Sequence, residues 1–302
     1  MYFDLQVNGY GGIDFNQNDL NAGQLHAACE KLKEDQVSGI LATVITESVD
    51  EMARRLRRIA ELRERDPLAK EVIAGLHIEG PFINEQDGYR GAHPLDAVRR
   101  ADLDVMKQLL DAGSGLTRIV TLAPERDDGL RVTRFLAEQG IVVSAGHCDP
   151  TMEELRGAVD AGLSMFTHLG NGAPIMMHRH DNIIQRALSL SDRIWFGLIA
   201  DGTHLPYFMF ANILKLAGID RCFVVSDAIA PAGLGPGRYT VSRWDLVIGE
   251  DLVARAPDGS HFVGSAISMT QSSENLRSQV GLSEKEIARL TQTNPLLAIG
   301  RS

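Results

Sequence analysis

Cysteine is scarce in this chain, with three in 302 residues, at Cys29, Cys148 and Cys222. The number is odd and the spacing pairs none of them, so no disulfide framework is expected and a reducing, cytoplasmic setting is. Basic residues are outnumbered, 30 Lys and Arg against 40 Asp and Glu, for a formal net charge of −10. With a pI near 5.4, the chain lacks the basic excess that neutralises nucleic-acid phosphates, although a small anionic ligand needs only a local cluster of donors. No run of about 20 apolar residues occurs, so no membrane span is expected. The opening MYFDLQVNGYGG has neither a basic start nor a long apolar stretch and does not read as a secretion signal. These absences leave a small molecule as the expected partner.

What the chain does have is alternation. Strand-like runs at 3–7, 39–46, 72–79, 117–122, 141–147, 164–168, 193–199 and 220–227 alternate with helix-like stretches at 21–35, 48–65, 96–112, 129–139, 151–161, 181–189 and 206–217. Eight strands in strict alternation favour a closed (β/α)8 barrel of TIM type over an open doubly wound sheet. Gly9, Gly11 and Gly12 follow the first strand, but without the G-x-G-x-x-G spacing of a phosphate loop. Helix 48–65, with Arg54, Arg55, Arg57 and Arg58 among Glu51, Glu61 and Glu64, reads as a solvated face. Thr151 followed by Glu154 marks a capping box. Residues 236–263 alternate with period two and contain Asp258-Gly259. That segment reads as a β-hairpin insertion, before a closing helical segment at 267–300. The expectation is one barrel domain over 1–302.

Four strand-like runs end on a polar residue just before a turn: VIAGLHIEGP on Glu79, IVVSAGHCDP on His147, LSMFTHLGNG on His168 and CFVVSDAIAP on Asp227. Polar side chains at the C-terminal ends of barrel strands are how this architecture builds an active site. Two imidazoles and a carboxylate suit a hydrolytic divalent ion, and a separate carboxylate suits an acid/base beside it. Taken singly, each His is as readily a hydrogen-bonded strand-end residue, and Asp227 a turn cap; the conjunction points to a site. Cys148 adjoins His147, but successive strand side chains face opposite ways, so an inert buried thiol is expected.

The segments DLQVNGYGG, GLHIEGPF, GAH, SAGHCDPT, THLGNGAP, IADGTHL, VSDAIAPAG and VGSAISM resemble N-acetylglucosamine-6-phosphate deacetylases of the amidohydrolase superfamily. They stand in the family's order along nearly the whole chain. The resemblance implies that Glu79, His147 and His168 hold one divalent ion and that Asp227 is the acid/base. It implies that His93 polarises the acetamide carbonyl, that His204 contacts the sugar, and that Asn171 and Gly172 offer an amide and backbone N–H groups. Arg179 stands where the family places a phosphate-binding arginine, a role suited to a forked guanidinium. Many amidohydrolases carry His-x-His on the first strand for a second ion. Here the pair is Gln6-x-Asn8, and TRIVTLAPE lacks a bridging lysine, so one ion is expected. Zinc is the first expectation, with iron, manganese or cobalt as alternatives; a homodimer is a further implication.

Three departures accompany the likeness. The small β-sandwich domain of the family is expected to be largely missing. IMMHRHDN (175–182) keeps Arg179 without the usual Arg-Glu-Pro-Gly, and brings His178 and His180 beside it. Gly172 replaces an alanine. The implied reaction is removal of the N-acetyl group from an amino sugar, N-acetylglucosamine-6-phosphate foremost. The same chemistry on another N-acyl amino sugar or cyclic amide is the neighbouring alternative, and a non-catalytic sugar-phosphate binder the more distant one.

Overall fold

The computed structural model describes residues 1–241, 244–257 and 262–301. Eight strands run parallel: β1 (Tyr2–Val7), β2 (Val37–Ile45), β3 (Ile73–Glu79), β4 (Thr117–Leu122), β5 (Val142–Ala145), β6 (Leu163–Phe166), β7 (Trp195–Ile199) and β8 (Cys222–Val225). They lie side by side in chain order. Each crossover returns through helix, which is what parallel pairing demands. The crossover helices are α1 (Ala22–Glu34), α2 (Val49–Arg65), α3 (Pro67–Val72), α4 (Leu103–Ala112), α5 (Arg131–Glu138), α6 (Met152–Asp160), α7 (Ile183–Leu188) and α8 (Tyr207–Ala217). The (β/α)8 expectation holds.

Apolar residues on the outer strand faces, among them Ile40, Ala42, Leu76, Ile78, Val120 and Val143, share one buried core with helix residues such as Leu25, Leu56 and Leu109. A second cluster, including Phe3, Leu41, Ile119, Met165 and Phe223, packs with Leu296 and Ile299 near the C-terminus. One pleat further along, the same strand faces turn polar: Thr121 follows Ile119 and Thr167 follows Met165.

The seam between β8 and β1 is closed differently from the other pairs. A single bridge joins Val7 and Ala228, and the N–H groups of Asn8 and Gly9 donate to the Ala228 carbonyl at 2.7 and 3.1 Å. Below them, the buried Asp4 carboxylate accepts from the Ser226 N–H at 3.2 Å and its hydroxyl at 2.5 Å. Burial pushes the Asp4 carboxyl up to about 7, against the hydrogen bonds from Ser226 and Gln6.

Several expectations needed revision. The helix expected from 96 starts at Leu103, capped by Asp102 accepting from the N–H groups of Asp104 and Val105. Before it, Arg99 donates to Pro81 O and Ala101 to Arg126 O, so that stretch ties loops together instead of coiling. Asp66 caps the short α3, with Pro67 in its first turn, where the sequence reading ran straight into a strand. The expected hairpin is a four-stranded antiparallel sheet: β9 (Gly237–Val241), β10 (Trp244–Ile248), β11 (Val253–Arg255) and β12 (Phe262–Ser265). Period two identifies strands but does not count reversals, and the chain also reverses between β10 and β11 through the Gly249–Leu252 turn. The Asp258-Gly259 pair lies outside the described residues.

Candidate active site

Glu79 closes β3, while His147, His168 and Asp227 each stand two residues beyond β5, β6 and β8. The backbone at the last three is left-handed, with φ of 51°, 32° and 50°. Side-chain-bearing residues rarely adopt this conformation, and Asp and His are among those that tolerate it best. The turn ends each strand at the barrel mouth. Such strain, of about 1–3 kcal/mol per residue, gathers where function holds it.

The Glu79 Oε1 atom lies 3.1 Å from His147 Nε2 and 3.1 Å from His168 Nε2. One ligand atom from each residue falls within 4.8 Å of the others, and all three are buried. His147 Nδ1 is 2.8 Å from the Tyr89 carbonyl, which can only accept. Nδ1 therefore carries a proton and donates to that carbonyl, which turns Nε2 toward Glu79. A carboxylate and imidazole nitrogens converging in a buried pocket make a donor set that can hold a divalent ion. Hydrogen bonds from His147 and His168 hold the Glu79 carboxyl well below the usual range, outweighing the opposing effect of burial.

The His147 ring sits in a slot lined by glycine. A Cβ on Gly172 (φ +59°) would lie 2.8 Å from its Nδ1, and one on Gly91 would lie 3.2 Å from its Cε1. On its other side, His93 Nε2 is 3.2 Å from His147 Nε2, with the rings edge to face at 75°. Burial, then the neighbouring His147, pushes His93 down to about 3, so this ring is neutral at physiological pH. The loop carrying it is pinned by Arg90 Nη1, which donates to His93 O at 2.9 Å.

Gln6 and Asn8 act as donors to the carboxylates. Gln6 Nε2 donates to Glu79 Oε2 at 3.1 Å, and Asn8 Nδ2 donates to Asp227 Oδ1 at 2.8 Å. Burial, and then the charge of Glu79, pushes the Asp227 carboxyl up to about 6. A carboxyl poised there can both take and return a proton near neutrality. His204 lies on the loop after β7, where Asp201 Oδ2 meets its Nδ1 at 2.5 Å and Asp201 Oδ1 accepts from its N–H at 2.8 Å. Asn171 folds over His168, its amide donating to the His168 carbonyl at 3.3 Å.

No family model matches the chain. Among curated proteins, an N-acetylglucosamine-6-phosphate deacetylase from Danio rerio is 31% identical over 315 residues, covering 100% of this chain and 75% of its own length. The Homo sapiens protein of the same name is 31% identical over 309 residues, covering 99% and 73%. The chain belongs to the N-acetylglucosamine-6-phosphate deacetylase family. An N-acetylgalactosamine-6-phosphate deacetylase from Escherichia coli O157:H7 is similar at 29% identity over 300 residues, covering 99% and 77%. The fold agrees with solved deacetylases. A Mycobacterium smegmatis mutant in complex with N-acetyl-D-glucosamine-6-phosphate superposes with a TM-score of 0.87 at 27% identity, covering 99% of this chain and 77% of that one. The Thermotoga maritima enzyme gives 0.85 at 28%, covering 99% and 78%.

Of the residues the family likeness singles out, Glu79, His147, His168 and His93 meet directly, and Gly172 lies against His147. Asp227 is close enough to Glu79 and to His204 for its charge to interact with both. Arg179 is not brought to this cluster. It is exposed in the 175–182 segment, and no hydrogen bond or ion pair joins it to the cluster among the described residues. His178 does local work, its Nδ1 accepting from the Asp181 N–H at 2.9 Å. Arg186 anchors the segment, with Nη1 donating to Asp149 Oδ1 at 2.7 Å and Nε donating to Asp181 Oδ1 at 2.6 Å. Sequence reasoning missed Asp201, Asp4 and the Tyr89 carbonyl. Asp201 had a signal in its place three residues before His204; a backbone carbonyl has none.

Proposed function

We propose that this chain hydrolyses the N-acetyl group of an amino sugar 6-phosphate, N-acetylglucosamine-6-phosphate foremost, to the free amine and acetate. The observation that carries the reading is the convergence of Glu79, His147 and His168 within 4.8 Å, beside a separate, half-buried carboxyl, Asp227. Glu79, His147 and His168 would hold one divalent ion, zinc first among the candidates. Gln6 and Asn8 supply amide donors where a second ion would need ligands. A divalent ion held there supplies the positive charge that acidifies a water and polarises the acetamide carbonyl.

The chain's own residues do the rest. Asp227 takes a proton from the attacking water and returns it to the departing sugar nitrogen, so that water adds across the C–N bond and acetate leaves. Asn8 holds the Asp227 carboxylate in line through that cycle. His93, neutral and beside His147, offers an N–H to the carbonyl oxygen as negative charge gathers on it. His204, held by Asp201, contacts the sugar, and Asn171 and Gly172 present an amide and a backbone N–H. Arg179 reaches the phosphate from the exposed 175–182 segment.

Acetate release, measured on N-acetylglucosamine-6-phosphate, its galacto epimer and both unphosphorylated sugars, tests the substrate. The reading predicts the highest kcat/KM for the gluco phosphate. A preference for the galacto epimer would reassign the sugar, and equal rates without phosphate would remove the Arg179 role.

A further inference from the structure

Beneath the ligand cluster runs a line of polar contacts that the reaction does not use. His77 Nδ1 is 3.1 Å from the Leu5 carbonyl, and His77 Nε2 is 2.7 Å from Thr121 Oγ1. Thr121 Oγ1 is 2.7 Å from Thr167 Oγ1, which is 2.6 Å from Ser144 Oγ. The line runs from β1 through β3 and β4 to Thr167, the residue that follows β6, and ends on β5 at Ser144. All four side chains are buried.

One carbonyl decides the direction of every bond. Leu5 O can only accept, so His77 Nδ1 carries the proton. Buried, and with no carboxylate in hydrogen-bond contact among the described residues, the ring is neutral, and Nε2 must accept from Thr121. The Thr121 hydroxyl has one proton and has given it to His77, so it accepts from Thr167. By the same count Thr167 accepts from Ser144. The order is Ser144 to Thr167 to Thr121 to His77 to Leu5 O, with no freedom left in it.

The members of this line touch the neighbours of all three ligands. Thr121 pairs with Glu79 in the β3–β4 register, and its carbonyl accepts from the Gly80 N–H at 3.0 Å. Thr167 immediately precedes His168, and His77 shares a strand face with Glu79. A Cβ on Gly146, just before His147, would lie 2.6 Å from the Thr121 methyl and 3.2 Å from Thr167 Cβ. We propose that His77 and Thr121 are positioning residues, and that this one-way hydrogen-bonded line sets the geometry of Glu79, His147 and His168 toward a divalent ion. The inference rests on the metal reading above.

The test uses cobalt(II) titrated into metal-free protein and read by its visible absorption, with folding checked by circular dichroism. Wild type is expected to bind one equivalent; failure there would strike the metal reading itself. Thr121→Val, which keeps the shape and deletes the hydroxyl, is expected to stay folded, to bind cobalt at least tenfold more weakly and to shift the absorption bands. Thr121→Ser is expected to restore both. A folded Thr121→Val with wild-type affinity and spectrum would overturn the proposal. The ring itself gives an independent check in wild-type protein. Nitrogen-15 NMR is expected to show His77 protonated on Nδ1 alone at neutral pH, and the Nε2–H tautomer or an imidazolium would overturn the direction of the line.

Discussion

Asp227 combines a strained backbone, a half-buried carboxyl and an amide donor, Asn8. Asn in its place tolerates the left-handed turn and preserves shape while losing the titrating group. Asp227→Asn is therefore expected to bind metal and substrate normally and to lose about 10²–10⁴-fold in kcat. Steady-state kinetics with metal analysis would show it, and a kcat within threefold of wild type would remove Asp227 from the chemistry. Gly172 gives a prediction particular to this chain. Its φ is +59°, and a Cβ would lie 2.8 Å from His147 Nδ1. Gly172→Ala is expected to destabilise the fold by about 1–2 kcal/mol and to weaken metal binding by displacing His147. An unchanged urea midpoint and unchanged metal affinity would show that the slot around His147 yields.

At the scale of elements, the seam between β1 and β8 leans on Asp4, whose carboxyl is pushed from 3.8 up to about 7 in the fold. Between those values the folded chain holds a proton that the unfolded chain has released. Asp4 therefore makes stability fall as pH rises from about 4 to about 7, with no further loss above. Asp227 shifts in the same direction, so the comparison must be with Asp4→Asn. That variant is expected to show a shallower decline in urea-unfolding free energy across this window, and an unchanged slope would mean that Asp4 is ionised throughout. Elements were read from the sequence where pattern sufficed. The eight strand runs fell close to their observed places because buried parallel strands leave continuous apolar stretches. The Thr151–Glu154 capping box is present as read. What escaped was set by tertiary pairing: the start of α4, where Arg99 and Ala101 bond to distant loops, and the number of reversals in the small sheet.

For the whole molecule, the barrel explains why so much of the candidate site was legible. Each βα unit delivers one strand end to the same rim, so Glu79, His147, His168 and Asp227 could be gathered from positions far apart in sequence. The supporting contacts were less legible, because they depend on which atoms face each other across the barrel. Gln6 and Asn8 could be recognised as poor ligands, but not as the donors to Glu79 and Asp227. No helix among the described residues is long and apolar enough to cross a membrane. The claim that organises the account is one ion, held by Glu79, His147 and His168, serving deacetylation with Asp227. Metal-free protein titrated with zinc while acetate release from N-acetylglucosamine-6-phosphate is followed tests it most directly. Activity is predicted to rise linearly to one equivalent and then level off. Full activity in the metal-free protein, or a break at two equivalents, would contradict it.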